Sequence, residues 1–257
     1  MRGGIYVVPS LLTIGNLLAG FYALVSVFNA EHVHAAVAIL IAGVFDALDG
    51  AVARLTGTAT DFGIQLDSLA DLVSFGIAPA MLAYSWALLP FNRIGWLACF
   101  LFVSCGALRL ARFNVQARTG DKRYFLGLPI PAAAGFVASF VLFMKDSSSV
   151  LLFGREILSS SVTSVLVAIS IYLLSFLMVS RMKYLGLKGI DFKRQRPFTL
   201  LVVFVLGILL IASQPALLIF GLFFCYVLSG IMRHIPFPGK NLIKERKERV
   251  SEGLGSR

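Results

Sequence analysis

Four aspartates lie close together in an apolar part of the sequence. Asp46 and Asp49 are three residues apart, and Asp67 and Asp71 are four residues apart. On a helix, either spacing places both carboxylates on the same face. An ionised side chain in the middle of a bilayer costs about 2.5–3.5 kcal/mol even on the mildest insertion scale. Four such groups therefore require a polar cavity and shared cations.

Three kinds of site would explain these carboxylates. A structural ion-pair site lacks partners, because Arg54 is the only basic residue nearby in the sequence and leaves the negative charges unbalanced. A path for protons or cations is a second kind, since intramembrane carboxylates often line such paths. A pair of divalent cations balances the four charges most simply, and all-oxygen ligands favour Mg²⁺ or Mn²⁺ over zinc. The residues alone favour the metal site and leave the transport path open.

The composition indicates a membrane protein. Hydrophobic residues make up 58% of the 257 residues and charged residues only 14%, whereas soluble domains carry about 25% charge. Apolar runs of about 20 residues can span a bilayer. They predict an all-α polytopic membrane protein, a bundle of about eight transmembrane helices. The predicted spans are 8–28, 34–54, 66–89, 95–115, 129–144, 161–180, 198–214 and 215–233.

The basic residues divide unequally between the two sides of this bundle. Arg93, Lys145 and Arg155 fall on one side, and the other 20 of the 23 Lys and Arg fall on the opposite side. Because loops rich in Lys and Arg stay in the cytoplasm, we expect cytoplasmic termini and an aspartate segment at the cytoplasmic face of the cell (inner) membrane. Attraction to the anionic leaflet accounts for the net charge of +10, so no nucleic-acid partner is expected. We expect one integral-membrane domain over 1–237 and a charged cytoplasmic tail over 238–257.

Small residues and one arginine accompany the aspartates. Gly50 follows Asp49, Gly63 precedes Asp67, and Arg54 lies one helical turn beyond Gly50. Glycine inside a span costs helix stability relative to alanine, so either close helix packing or room for a bulky polar ligand must compensate. Arginine offers a forked guanidinium to phosphate. With bound metals, these residues are consistent with a diphosphate site.

Residues 46–71 resemble the motif of the CDP-alcohol phosphotransferase family at every fixed position: Asp46-x2-Asp49-Gly50-x2-Ala53-Arg54-x8-Gly63-x3-Asp67-x3-Asp71. The resemblance implies that the four aspartates bind two divalent cations, Mg²⁺ or Mn²⁺, which grip the diphosphate of a CDP-linked lipid. It also implies that Asp71 is the general base. The residues that it implies as contacts of the CDP-lipid are Thr13, Asn16, Gly50, Arg54, Thr60 and Gly63.

Two later segments resemble the paired motifs of the phosphatidylserine synthase branch of that family. They are 106–114, GALRLARFN, and 127–135, GLPIPAAAG. The resemblance implies CDP-diacylglycerol and L-serine as substrates, phosphatidylserine and CMP as products, and a homodimer. Two alternatives stay open. One is a family member with another acceptor, such as glycerol 3-phosphate or inositol phosphate, and the other is a carboxylate-lined cation transporter.

The basic residues after the fourth predicted span are candidates for a serine pocket. Arg109 and Arg112 are three residues apart on one helical face, and Asn114 follows them. Two guanidiniums suit a substrate that carries a carboxylate. Basic anchors at the membrane surface would occupy the same place, and the resemblance to the serine-using branch favours the pocket. Arg181, at the end of the sixth span, is a further candidate.

Overall fold

The computed structural model describes residues 7–57, 60–119, 125–145, 160–184 and 214–234. The helices are α1 (Val7–Phe28), α2 (His32–Thr56), α3 (Asp61–Asp71), α4 (Ala78–Ala83), α5 (Asn92–Thr119), α6 (Ile130–Lys145), α7 (Ser160–Val179) and α8 (Pro215–His234). Two π-helical turns, Leu72–Ile77 and Tyr84–Leu88, and a 3-10 turn, Leu89–Phe91, join α3, α4 and α5. Two short strands, β1 (Phe125–Leu126) and β2 (Lys183–Tyr184), pair in antiparallel orientation.

Five helical segments are long and apolar enough to cross a membrane. They are Pro9–Phe28, His32–Thr56, Asp61–Val115, Ser161–Val179 and Pro215–Met232. The predicted third and fourth spans both lie in the third segment, whose 55 residues are more than twice the about 20 needed for one crossing. Asn92, at φ 47°, interrupts this segment just after the 3-10 turn. The all-helical prediction is thus confirmed for the described residues, apart from the one strand pair.

The fifth and seventh predicted spans are not confirmed by the described residues. The fifth predicted span corresponds to α6, which is apolar but only 16 residues long. The seventh, 198–214, lies outside the described residues except for its last position, and so does the whole tail 238–257. The number of eight spans and the side of the termini therefore stay predictions.

Helices α1 and α2 pack closely together, and α3 with its following π turn packs on α1. Alanines line this region and are fully or almost fully buried; they are Ala23, Ala35, Ala36, Ala38 and Ala42. Small side chains let helix backbones approach closely inside a membrane. This packing brings α1 against the helices that carry the aspartates.

The first residues of the segment 127–135 lie just before α6 and bond to the end of α7 and to Met182 just beyond it. The Gly127 N–H donates to the Met182 carbonyl at 2.9 Å, and the Leu128 N–H donates to the Leu177 carbonyl at 3.0 Å. Gly127 has φ 83°, and a Cβ there would collide with the Met178 carbonyl oxygen, so this position favours glycine. In the structure, the start of this motif therefore fixes backbone packing.

Candidate active site

Helix α2 ends and helix α3 begins at a defined capping residue. Gly57 ends α2 in the left-handed conformation, at φ 63°, as is common at helix C-termini. The Thr60 hydroxyl accepts a hydrogen bond from the Gly63 N–H at 3.0 Å and caps the start of α3. Each predicted aspartate pair lies on one helix, as expected from its spacing, with Asp46 and Asp49 on α2 and Asp67 and Asp71 on α3.

Three of the aspartates converge on one point. Asp46, Asp49 and Asp67 each offer a carboxylate oxygen, and these oxygens lie within 4.8 Å of one another. Asp49 is buried and the other two are half-buried. Asp67 Oδ1 is buried without a hydrogen-bond partner in the described part of the chain. Because clustered carboxylates repel one another and oxygen donors suit Mg²⁺-type ions, this donor set can hold a divalent metal ion.

Asp71 lies at the edge of this cluster rather than among its three converging oxygens. It interacts electrostatically with Asp46, Asp67 and Asp49 and is 7% exposed. Its Oδ1 accepts a hydrogen bond from Asn16 Nδ2 at 3.1 Å. A carboxylate held by one donor and next to a metal site can accept a proton from a bound substrate.

Helix α1 supplies polar partners to the aspartates. Thr13 Oγ1 donates to Asp49 Oδ2 at 2.7 Å, and Asn16 donates to Asp71. Thr13 is 4% exposed and Asn16 is fully buried. Both were predicted as contacts of the CDP-lipid, and the structure places them on the carboxylates themselves. They therefore orient the acidic side chains, and any contact to the lipid stays a prediction.

The remaining motif residues are Gly50, Arg54, Thr60 and Gly63, which are all exposed or half-buried. Arg54 is exposed and interacts electrostatically with Asp46 and Asp49. A Cβ at Gly50 would lie 3.3 Å from Arg54 Nη1, so the glycine gives the guanidinium room. At Gly63, a Cβ would lie 3.2 Å from Thr60 Oγ1, the oxygen that caps α3. The two glycines thus have separate local roles, one beside the guanidinium and one in the helix cap.

Arg109 is a predicted serine-pocket residue that interacts electrostatically with Asp71. It is 9% exposed, and its Nε has no hydrogen-bond partner within the described ranges. It also interacts electrostatically with Tyr226 on α8. The Tyr226 ring lies 5.7 Å from the Tyr184 ring, centroid to centroid. Tyr226 was not predicted from the sequence, because helical periodicity does not show which residue of α8 comes close to Arg109.

The other three candidates for the serine pocket lie in different surroundings. Asn114 Nδ2 donates to Ser68 Oγ at 2.8 Å and so connects α5 to the residue that follows Asp67. Arg112 is half-buried, whereas Arg181 is exposed. Ser68 was also missed, because a serine in an apolar run carries no signal until its partner is known.

Comparison with known proteins gives one family and several relatives, one of which aligns over nearly the full length of this chain. The family described as CDP-alcohol phosphatidyltransferase matches residues 6–171. A Helicobacter pylori protein named CDP-diacylglycerol--serine O-phosphatidyltransferase is 36% identical over 244 residues, which are 95% of this chain and 97% of the relative. A Bacillus subtilis protein of the same name is 38% identical over 178 residues, 69% of this chain and 89% of its own. An archaetidylserine synthase from Methanothermobacter thermautotrophicus is 45% identical over 136 residues, 52% and 57% of the two chains.

Proposed function

Because this chain belongs to the CDP-alcohol phosphatidyltransferase family, we propose that it converts CDP-diacylglycerol and L-serine into phosphatidylserine and CMP. The observation that carries the proposal is the convergence of Asp46, Asp49 and Asp67 beside Asp71. The choice of serine is supported by relatives that are named for this reaction and align with 69–95% of the chain.

The four aspartates are proposed to hold two divalent cations, Mg²⁺ or Mn²⁺. The unpartnered Asp67 Oδ1 and the close approach of three carboxylates support this fit. Bound cations would neutralise charge on the diphosphate and on the departing CMP. Arg54, exposed beside Gly50, is available to bind a phosphate oxygen of the same diphosphate.

Asp71 is proposed to accept the proton of the serine hydroxyl. The serine oxygen then attacks the phosphorus that carries the diacylglycerol, and the bond from that phosphorus to the CMP oxygen breaks in the same in-line step. The proton passes from Asp71 to water after the products leave. Asn16, which donates to Asp71 Oδ1, keeps the carboxylate aimed at the acceptor. Most of the rate enhancement then comes from positioning and charge stabilisation.

Arg109 is proposed to bind the serine carboxylate. A guanidinium nitrogen that is buried and unpartnered in the described structure is costly unless a ligand satisfies it. Its interaction with Asp71 supports a position near the reacting hydroxyl. Arg112 and Arg181 remain proposed secondary contacts, whereas the Asn114 amide is already bonded to Ser68.

Arg109→Lys is expected to raise the serine KM by about ten- to a hundredfold, because a charge-assisted hydrogen bond contributes about 1.5–3 kcal/mol. The KM for CDP-diacylglycerol should stay within about twofold of wild type. Steady-state kinetics with each substrate varied in turn measures both values. Arg93→Lys, at the second residue of α5, is the matched control and should change neither KM. Equal changes in both KM values for Arg109→Lys would indicate that this residue has a structural role and does not bind serine.

The proposal includes a topology and an assembly. We propose eight spans with both termini and the aspartate segment at the cytoplasmic face of the inner membrane, supported by the distribution of Lys and Arg. Residues 1–237 would form the catalytic membrane domain and 238–257 a charged tail. A homodimer is proposed by family resemblance. Serine and CMP are water-soluble, so a cytoplasmic site gives both direct access.

An acceptor panel tests the function. Purified protein is incubated with CDP-diacylglycerol, Mg²⁺ or Mn²⁺, and either serine, glycerol 3-phosphate or inositol phosphate, and the lipid product is identified by mass spectrometry. We expect phosphatidylserine, with serine giving the highest kcat/KM. A higher value for another alcohol would assign that acceptor instead. Cation flux into liposomes without any CDP-lipid, together with no lipid product, would support the transporter.

A further inference from the structure

We propose that Ser74 is a positioning residue, which fixes the backbone of Asn16 so that the Asn16 amide faces Asp71. Its expected effect on turnover rests on the proposed function, whereas the contact itself does not. Ser74 lies outside the 46–71 motif, in the π turn Leu72–Ile77 that begins directly after Asp71. Such turns are rare and frequently occur at functional sites.

Two hydrogen bonds hold Asn16 from opposite ends. Ser74 Oγ donates to the Asn16 backbone carbonyl at 3.0 Å, and Asn16 Nδ2 donates to Asp71 Oδ1 at 3.1 Å. Ser74 and Asn16 are both fully buried, so these bonds do not compete with bulk water. Asp71 and Ser74 thus clamp one residue of α1 from a single helical run.

Gly20 provides the space for this clamp. In a helix, the Asn16 carbonyl faces the N–H of residue 20, four positions later. A Cβ at Gly20 would lie 2.7 Å from Ser74 Cα and would also collide with Ser74 Oγ. Any larger residue would therefore push Ser74 away from the Asn16 carbonyl. This steric requirement explains a glycine inside an apolar span, where it costs helix stability.

The clamp also fixes the direction of the Asn16 amide. Because a carboxylate only accepts hydrogen bonds, Nδ2 must face Asp71. Asn16 Oδ1 is then buried and has no hydrogen-bond partner within the described segments. A buried hydrogen-bond acceptor of this kind is satisfied by a donor on the substrate, such as the hydroxyl or ammonium group of the alcohol that receives the phosphatidyl group. Ser74 thereby positions both Asp71, the proposed base, and Asn16 Oδ1, the oxygen that would bind the substrate.

Ser74→Ala tests the clamp, and Ser26→Ala is its matched control. Ser26 is also a buried serine, 1% exposed, but its Oγ has no hydrogen-bond partner in the described residues. We expect Ser74→Ala to lower kcat by about tenfold, because small misplacements of reacting groups reduce rates strongly. Both KM values should stay within about twofold. Ser26→Ala should match wild type in all three constants.

Two further measurements separate positioning from general stability. Gly20→Ala should lower kcat as Ser74→Ala does, and the double variant should lose no more than about the larger single loss, because both changes break the same contact. Hydrogen–deuterium exchange of the α1 amides around Gly20 should rise in Ser74→Ala and not in Ser26→Ala, whatever reaction the protein catalyses. If the wild type transfers the phosphatidyl group to another alcohol, the proposal that serine is the substrate fails. The clamp is still supported if Ser74→Ala lowers kcat for that alcohol by the same factor. If Ser74→Ala left both kcat and the hydrogen–deuterium exchange of α1 unchanged, the proposed clamp would be overturned.

Discussion

Asp71→Asn is expected to lower phosphatidyl transfer by about 10²- to 10⁴-fold, the usual contribution of a general base. Asparagine keeps the shape of the side chain and can still accept the hydrogen bond from Asn16 Nδ2, so the fold should survive. The amide cannot take a proton from the acceptor hydroxyl at neutral pH. Initial rates of CMP release and phosphatidylserine formation measure the loss.

Asp61→Asn is the matched control for this variant. Asp61 is exposed at the start of the same helix and is not one of the converging carboxylates. It should retain wild-type turnover, and both variants should unfold at temperatures close to that of wild type. If Asp71→Asn kept more than about a tenth of the wild-type rate, the role of Asp71 as base would be wrong.

Removal of divalent cations is expected to reduce transfer by at least about a hundredfold, because a metal ion contributes several kcal/mol of charge stabilisation to such reactions. The physical reason lies in the cluster, where three carboxylate oxygens lie within 4.8 Å of one another. Activity after EDTA treatment, followed by stepwise addition of Mg²⁺ or Mn²⁺, measures the loss and its recovery. Full activity in excess chelator would contradict the metal proposal.

Direct binding of Mn²⁺ separates a metal requirement from a metal site. Electron paramagnetic resonance should detect about two bound Mn²⁺ per chain in wild type and fewer in Asp67→Asn, which loses the charge of a converging ligand. Asp61→Asn should bind as much Mn²⁺ as wild type, since its carboxylate lies outside the cluster. Equal binding in Asp67→Asn and wild type would place the metal elsewhere.

The spacing of the aspartates was sufficient to predict that each pair lies on one helical face, since three- and four-residue intervals fix one face. That the two pairs meet was implied by the resemblance to the family, and the structure brings Asp46, Asp49 and Asp67 together. The motif positions also named Gly50, Arg54, Thr60 and Gly63, as contacts of the CDP-lipid. The structure adds that Thr60 and Gly63 form the cap of α3. A capping role and a ligand role use the same residue types, so spacing alone could not separate them.

Contacts between distant segments could not be predicted from the sequence. Ser74 meets Asn16 across 58 residues of sequence, and Asn114 meets Ser68 across 46. No local pattern encodes such pairs, because they depend on the rotation of each helix and on a π turn that shifts the helical register. The same reason hid the position of Tyr226 near Arg109.

Product analysis of a complete reaction tests the central claim most directly. Purified protein with Mn²⁺, CDP-diacylglycerol and labelled serine should form phosphatidylserine and CMP in equal amounts, and omission of any one component should stop both. This outcome would establish a metal-dependent transfer from the CDP-lipid to serine. CMP release that does not depend on serine, or a lipid product without the serine label, would contradict it.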